Sequence, residues 1–223
     1  EPICELLLDS DIETQIKAIE LIIRANDPNT MRYLIPALKD ENEYARRAAV
    51  EVLNSLGTAK DIKQLLNIVR DQDWWVRSRA ADALGKIGGP KVIEAVIQLI
   101  GDEDQDVRRA AIEILHQTKD ERAVDFLIKA TDDKDWWTAE RAIDALGEIG
   151  NAKALPRLID LASHGNQELL PAVARALGKI GDSSSLDTAI QLLKAGDKVT
   201  KIESLTALGP ITDSLSAHIT KPI

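Results

Sequence analysis

Several residue types are scarce in this sequence, and each shortage narrows the class of protein. The 223 residues include a single cysteine, Cys4, so no intrachain disulfide can form and a cytoplasmic location is expected. Aromatic residues amount to 3% of the chain: four Trp, two Tyr and one Phe. The core must therefore be built from Leu, Ile, Val and Ala, a composition that favours helices over packed strands.

Excess positive charge and long apolar runs are also missing. The net charge is −9, and an acidic chain repels phosphate backbones, so we expect no nucleic-acid partner. No apolar run reaches the roughly 18 residues of a membrane span, and no signal peptide is recognisable, so no membrane partner is expected. The chain starts at Glu1 rather than Met, which favours a processed product or a part of a longer polypeptide.

Catalytic signatures are lacking as well. There is no glycine-rich phosphate loop, and no Cys or Ser stands in a recognisable nucleophile setting. Cys4 lies among apolar neighbours, as a small packing residue does. We therefore expect no catalytic residue, no cofactor and no metal site.

What the sequence does contain is an internal repeat. The segments DWWVRSRAADALGKIG, from Asp73, and DWWTAERAIDALGEIG, from Asp135, share a rare double tryptophan and lie two 31-residue periods apart. The same period divides the chain without insertion or deletion into repeats 1–27, 28–58, 59–89, 90–120, 121–151, 152–182 and 183–213, with a C-terminal tail at 214–223. One repeat cannot bury its apolar face alone, so we expect stacking into a single all-α domain, a right-handed α-solenoid.

Each repeat is predicted to form two helices joined by a polar turn. In the third repeat, apolar residues at three-and-four spacing predict a first helix over 60–69 and a second over 74–87. An Asp or Asn always precedes the second helix, where its side chain can accept hydrogen bonds from the first-turn N–H groups. The predicted caps are Asp11, Asn42, Asp73, Asp104, Asp135, Asn166 and Asp197.

Small residues in the second helices indicate close packing. Glycine within a helix costs about 1 kcal/mol relative to alanine, so its recurrence predicts contact with the next repeat. The recurring positions are Ala18, Ala49, Ala80, Ala111 and Ala142, then Gly85, Gly147, Gly178 and Gly209. In the sixth repeat Pro171 falls inside the second helix, which is expected to begin late or to kink.

The segments DQDWWVRSRAADALGKIGG, DEDQDVRRAAIEILHQTKD and DDKDWWTAERAIDALGEIGN resemble the HEAT-repeat superfamily. The likeness is to its short bacterial form, often called the phycobilisome-lyase HEAT-like repeat. The double-tryptophan repeats also resemble HEAT tails of some bacterial serine/threonine kinases. The resemblance implies a solenoid whose second helices line the concave face. It also implies a bilin lyase, a scaffold, or a regulatory module attached to another domain.

HEAT-type hydroxylases carry paired His-Glu metal ligands, and this chain departs from that pattern. Its histidines are His116, His164 and His218, which occupy different repeat positions and form no His-Glu pair. A di-metal enzyme is therefore not expected. His164 lies in the turn of the sixth repeat and is expected to be a surface residue.

The candidate binding surface is predicted around the second tryptophan of each pair. At about 100° per residue, Trp75 and Trp137 lie on the polar side of their helices, and Tyr44 is the matching residue of the second repeat. Arg79 and Arg141 follow four residues after the tryptophans and are expected to stack on the indoles. Trp and Arg dominate interface hot spots, so we predict an aromatic-and-arginine groove on the concave face.

Two further arginine columns lie beside this surface. Arg46, Arg77 and Arg108 are expected to pair with turn carboxylates of the next repeat as a structural ladder. Arg47 and Arg109 are expected to be more exposed and to contact a partner.

Structural roles are also expected for the tryptophans. Trp74 and Trp136 are expected to wedge against adjacent repeats. Trp75 and Trp137 have an alternative structural role, covering the seam between helices beside the turn.

These features favour a bacterial, non-catalytic interaction or scaffold module that binds a protein or peptide. Two alternatives stay open. The first is a bilin-lyase-like enzyme or tetrapyrrole chaperone, in which Arg79, Arg109 and Arg141 would pair with propionates. The second is a regulatory domain of a larger enzyme such as a kinase.

Overall fold

The computed structural model describes the backbone of residues 2–219 and the side chains of residues 3–214. This range contains fourteen α-helices and no strand. The chain divides into two compact units between Val96 and Ile97, inside the first half of the fourth repeat. The single domain expected over 1–213 stays a prediction.

In the first unit, the second helices of successive repeats pack side by side. Helix α2 packs against α4 and α4 against α6, while α3 and α5 pack against α4 and α6 respectively. The helices of this unit are α1 (Pro2–Glu5), α2 (Ile12–Ala25), α3 (Thr30–Ala37), α4 (Glu43–Leu56), α5 (Ile62–Ile68), α6 (Trp74–Ile87) and α7 (Gly89–Val96).

The second unit follows the same plan: α8 packs against α10, α10 against α12 and α12 against α14. Short 3-10 turns lead into several first helices, as at Glu121–Ala123 and Ser183–Ser185. The helices are α8 (Gln105–Thr118), α9 (Val124–Ala130), α10 (Trp136–Ile149), α11 (Leu155–His164), α12 (Leu170–Ile180), α13 (Leu186–Ala195) and α14 (Lys198–Ile219). Because α14 passes residue 213, it takes up part of the predicted tail, and residues 220–223 lie outside the described range.

The two predicted helices of the third repeat are both present. The second is confirmed as Trp74–Ile87. The first is shorter than expected, Ile62–Ile68, because the Asp61 carboxylate accepts hydrogen bonds from the backbone N and Oγ1 of Thr58. That local turn occupies the residues with which the helix was predicted to begin.

Six of the seven predicted caps are confirmed, each accepting a hydrogen bond from an N–H group in the first turn of its second helix. Asn166 instead caps the 3-10 turn Gln167–Leu169 that precedes α12. A second carboxylate lies two residues before five of these caps and accepts from the N–H of the cap residue at 2.8–3.0 Å. The sequence interpretation missed this column, although its Asp-x-Asp/Asn spacing was visible. Its members are Asp9, Asp40, Asp71, Asp102 and Asp133.

The core is aliphatic, as the composition predicted. The buried hydrophobic residues of the described chain are Leu, Ile, Val and Ala, together with Cys4. A Cβ added at Gly147 would lie 2.8 Å from the Ala176 Cα, so α10 and α12 touch at this glycine as expected. The prediction for Pro171 is also confirmed, because a 3-10 turn at Gln167–Leu169 precedes α12 and delays its start.

Candidate functional site

A hollow of about 410 Å³ lies on the face formed by α2, α4 and α6, within the first unit. We call it the aromatic groove. It brings together four of the seven predicted partner-binding residues, Tyr44, Arg47, Trp75 and Arg79. Its full lining is Gln15, Ile16, Ile19, Tyr44, Arg47, Ala48, Glu51, Trp75 and Arg79.

Both aromatic rings of the groove are stacked by arginines. The Arg79 guanidinium lies 4.9 Å from the Trp75 ring centroid, which confirms the predicted stack. The Arg47 guanidinium lies 5.3 Å from the Tyr44 ring centroid. Each contact contributes about 0.5–1 kcal/mol at an exposed site. One face of each ring is therefore fixed by the protein itself, while Tyr44 keeps 48% of its surface exposed.

The guanidinium edges are occupied by carboxylates. Arg47 donates through Nε and Nη2 to Asp73, at 3.1 and 2.6 Å, and these hydrogen bonds lower the pKa of Asp73 and raise that of Arg47. Arg47 was expected to be more exposed than the ladder arginines and to contact a partner. Its side chain is 31% exposed against 7% for Arg46, and it binds the cap of the following second helix.

The partners of Arg79 lie on both sides of it. Nη1 donates to Asp82 at 3.2 Å, and Nε lies 3.2 Å from Glu51 Oε2. Glu51 Oε2 is shielded from solvent and accepts no hydrogen bond from the described residues, so its contact with Arg79 is a charge–charge one. The positive charges of Arg47 and Arg79 in the aromatic groove are thus balanced by carboxylates of the same chain.

The other three predicted residues lie in the second unit. Arg109 donates to both carboxylate oxygens of Asp135 at 2.8 Å and stacks over the Trp137 ring at 5.4 Å. Arg141 pairs in the same bidentate way with Glu113, at 2.9 and 3.2 Å. The predicted stack of Arg141 on Trp137 is therefore wrong.

The reason that Arg109, rather than Arg141, stacks on Trp137 lies in the sequence of α8. In α4, Arg47 finds Tyr44 one turn earlier on its own helix, whereas the matching residue of α8 is Asp106. Arg109 has no aromatic side chain one turn earlier on its own helix and covers Trp137 on α10. A joint groove running from Trp75 to Trp137 stays a prediction, because the two residues belong to different units.

The roles predicted for the two tryptophans of each pair are partly reversed. Trp74 and Trp136 were expected to wedge against adjacent repeats, but they are 66% and 56% exposed. Each is the first residue of its helix, and helical side chains point toward the N-terminus, so these rings extend past the helix end. Trp75 and Trp137, under their arginines, are only partly exposed.

Trp136 borders a separate hollow of about 360 Å³ at the turns of the fifth and sixth repeats. Arg157 lies in this hollow between Asp132 and Asp160 and pairs with both. The His164 side chain is 80% exposed, which confirms it as a surface residue.

The predicted arginine ladder is confirmed at two positions. Arg46 pairs with Asp71 at 2.9 Å and Arg108 with Asp133 at 2.7 Å, with both arginines about 5% exposed. Nη1 of each also donates to two carbonyls of its own turn. Arg77 makes the same two turn contacts, to the carbonyls of Asp71 and Gln72. This column is structural.

The part of the chain that the structure describes contains neither a metal-binding cluster nor a membrane-spanning helix. No group of three or more His, Cys, Asp or Glu side chains within the described range is arranged to hold a metal ion. No helix in the same range combines the length and apolar character of a bilayer span.

The family follows from comparison with known proteins. A sequence profile of HEAT repeats matches residues 1–71, 62–140 and 125–209. The chain belongs to the HEAT-repeat family. Its predicted fold class, an all-α solenoid of two-helix repeats, is thereby confirmed. A comparison with curated protein sequences found no match.

Solved structures of several other proteins are similar to this chain. An engineered protein is 21% identical with a TM-score of 0.52, over 94% of this chain and 67% of that one. The CpcE–CpcF complex of phycocyanin lyase from Nostoc sp. PCC7120 is 18% identical, with a TM-score of 0.49 over 95% and 86%. Human deoxyhypusine hydroxylase in complex with glycerol is 21% identical, with a TM-score of 0.46 over 100% and 90%. At these identities the likeness shows the fold alone.

Proposed function

We propose that this HEAT-repeat protein is a non-catalytic interaction module whose aromatic groove binds a protein or peptide segment. The observation that carries the proposal is the pair of arginine-stacked rings, Tyr44 and Trp75, on adjacent second helices beside one hollow. Tyr, Trp and Arg are the residues that dominate binding energy at protein interfaces.

The rings are held before any partner arrives. Each has one face against a guanidinium whose edges are fixed by carboxylates. Side chains that are already ordered lose little conformational entropy on binding, which strengthens an interface without adding contacts. Ile16 is 50% exposed beside the rings and adds apolar surface. The groove therefore suits apolar or aromatic side chains of a partner.

The same contacts weigh against an anionic ligand. The three arginines suggested for tetrapyrrole propionates each face a carboxylate of this chain: Arg79 faces Glu51 and Asp82, Arg109 faces Asp135, and Arg141 faces Glu113. A propionate would have to displace one of these carboxylates. We therefore expect no absorbance shift when bilins are mixed with the protein, and a specific shift would favour the tetrapyrrole alternative.

The proposal is tested by affinity capture with matched variants. Wild type and the double variant Tyr44→Ala/Trp75→Ala are compared with Trp74→Ala, which removes the adjacent and more exposed indole outside the groove. We expect a partner that wild type and Trp74→Ala recover equally and that the double variant loses. Equal recovery by all three, or loss with Trp74→Ala alone, would remove the groove from the account.

A further inference from the structure

One position of the second helices carries a side-chain donor in the first four repeats. Its N–H group donates to the backbone carbonyl six residues earlier, at 2.8–2.9 Å, and in the arginine ladder also to the carbonyl five residues earlier, at 3.0–3.1 Å. The four donors are Gln15, Arg46, Arg77 and Arg108. Ala139 stands at this position in the fifth repeat, and its side chain has no donor.

The turn that such a donor would serve is nevertheless intact in the fifth repeat. The Asp133 carboxylate accepts from the N–H of Asp135 at 2.8 Å, as the matching carboxylates of earlier turns do. The carbonyls at the two ladder positions belong to Asp133 and Lys134. The sixth repeat differs, because Leu170 stands at the donor position and His164 replaces the turn carboxylate. The fifth turn therefore keeps the acceptors and lacks their donor.

The space of the missing side chain coincides with the hollow of about 360 Å³ beside Trp136. Ala139 and His164 both line this hollow. In the second and fourth repeats the ladder arginine also binds a carboxylate 25 residues later, at 2.7–2.9 Å. His164 is the residue at that distance from Ala139. Both members of the ladder pair are thus replaced together, and the hollow lies between the two positions.

The hollow offers further contacts to a guanidinium group. Trp136 keeps 56% of its surface exposed at the edge, and a guanidinium stacks favourably on an indole. Asp160 Oδ1 lies 3.2 Å from His164 Nδ1, so this carboxylate stands beside the place of the missing ladder carboxylate. Asp132 adds a second exposed carboxylate, and Arg157 binds one oxygen of each.

We propose that this hollow binds an arginine side chain of a partner protein, which takes the ladder position that Ala139 leaves open. Its guanidinium donates to the carbonyls of Asp133 and Lys134, as the ladder arginines do at their own turns. One face stacks on the Trp136 indole, and the edge faces the Asp160 carboxylate. A guanidinium is a planar fork with five donors and matches this set of acceptors, whereas an ammonium group is a compact point charge.

Nuclear magnetic resonance titration of the full chain with short peptides tests the site. An acetylated and amidated Gly-Arg-Gly peptide is expected to shift the indole N–H signal of Trp136 and the backbone N–H signal of Gly165, which also lines the hollow, in a saturable way. The matching lysine peptide should bind several-fold more weakly. Equal binding of the two peptides would overturn the guanidinium assignment. Tighter binding of methylguanidine than of the arginine peptide would overturn the assignment to a protein side chain.

Two tryptophan variants provide a matched comparison. Trp136→Ala removes the stack and should weaken binding of the arginine peptide about two- to fivefold, measured at Gly165. Trp74 is the matching residue of the third repeat and is 66% exposed, but there Arg77 already occupies the ladder position. Trp74→Ala should therefore bind the peptide as wild type does. Equal affinities of the two variants would overturn the proposal.

The double variant Ala139→Arg/His164→Asp supplies the ladder pair from within the chain. It recreates the pair formed by Arg108 and Asp133, so it should keep the wild-type circular dichroism spectrum, melt at a higher temperature and no longer respond to the arginine peptide. A folded double variant that binds the peptide as wild type does, or a wild-type protein that shows no response, would overturn the proposal. Neither result bears on the aromatic groove, whose residues lie in the first unit.

Discussion

Asp135 is the cap on which the largest number of contacts converge. It is 8% exposed and accepts from the backbone N and the hydroxyl of Thr138, at 3.2 and 2.7 Å. Both of its carboxylate oxygens also accept from Arg109, the main reason that its pKa lies far below the usual range. Substitution Asp135→Ala removes all of these hydrogen bonds together.

The cost of Asp135→Ala follows from these contacts. Loss of the cap costs about 1 kcal/mol. The fully buried Thr138 hydroxyl loses its acceptor, which costs roughly another 1 kcal/mol. The pair with Arg109, whose side chain is 37% exposed, adds up to about 1 kcal/mol. We therefore expect the free energy of unfolding to fall by about 3 kcal/mol.

Asp104 provides the matched control, because it caps α8 through Asp106 N at 2.8 Å and is exposed. Asp104→Ala should cost only the cap, about 1 kcal/mol. Urea unfolding followed by circular dichroism measures both variants. Equal losses would refute the reasoning, since they would mean that the contacts with Arg109 and Thr138 add nothing to the cap.

Three further outcomes are expected. Gly147→Ala should lower the free energy of unfolding by about 1–2 kcal/mol because its Cβ would crowd the Ala176 Cα, and a thermal melt with an unchanged or raised midpoint would contradict this. Hydrogen bonds from Lys119 and Lys179 lower the pKa of Glu148 from 4.5 to about 2, so its stabilising contribution is complete above pH 4.5 and disappears as the pH falls through about 2. Glu148→Gln should therefore be less stable than wild type at neutral pH and should lose less stability on acidification. An equal loss of stability in the two proteins as the pH falls would contradict that reason. Arg79→Met should shift the fluorescence of Trp75 by uncovering the ring, and an unchanged spectrum would mean that the stack is not populated in solution.

The helices and their caps could be predicted from the sequence because each depends on residues a few positions apart. The apolar period predicted 74–87 without error, and the Asp or Asn before the second helix was enough to place six of the seven caps. Asn166 caps a 3-10 turn instead, because Pro171 delays the start of α12. The start of the first helix at Ile62 was missed because a competing turn at Thr58 and Asp61 depends on side-chain geometry.

The candidate site was harder to predict because its arginines choose among partners on two helices. The spacing of four residues along one helix correctly predicted that Arg79 stacks on Trp75. The same spacing could not predict that Arg141 pairs with Glu113 on the neighbouring helix instead of stacking on Trp137. Trp74 was expected to wedge against an adjacent repeat, but as the first residue of its helix its side chain points beyond the helix end. Errors of both kinds arise where side chains meet outside a single helix.

The groove itself is tested most directly by site-specific photo-crosslinking inside cells. Ile16 lines the aromatic groove and is 50% exposed, while Ile35 lies on α3 outside the groove and is 38% exposed. Each isoleucine is replaced in turn by p-benzoylphenylalanine. The account predicts crosslinks to a second polypeptide from position 16 and none from position 35. Crosslinks from position 35 alone, or from neither position, would contradict it.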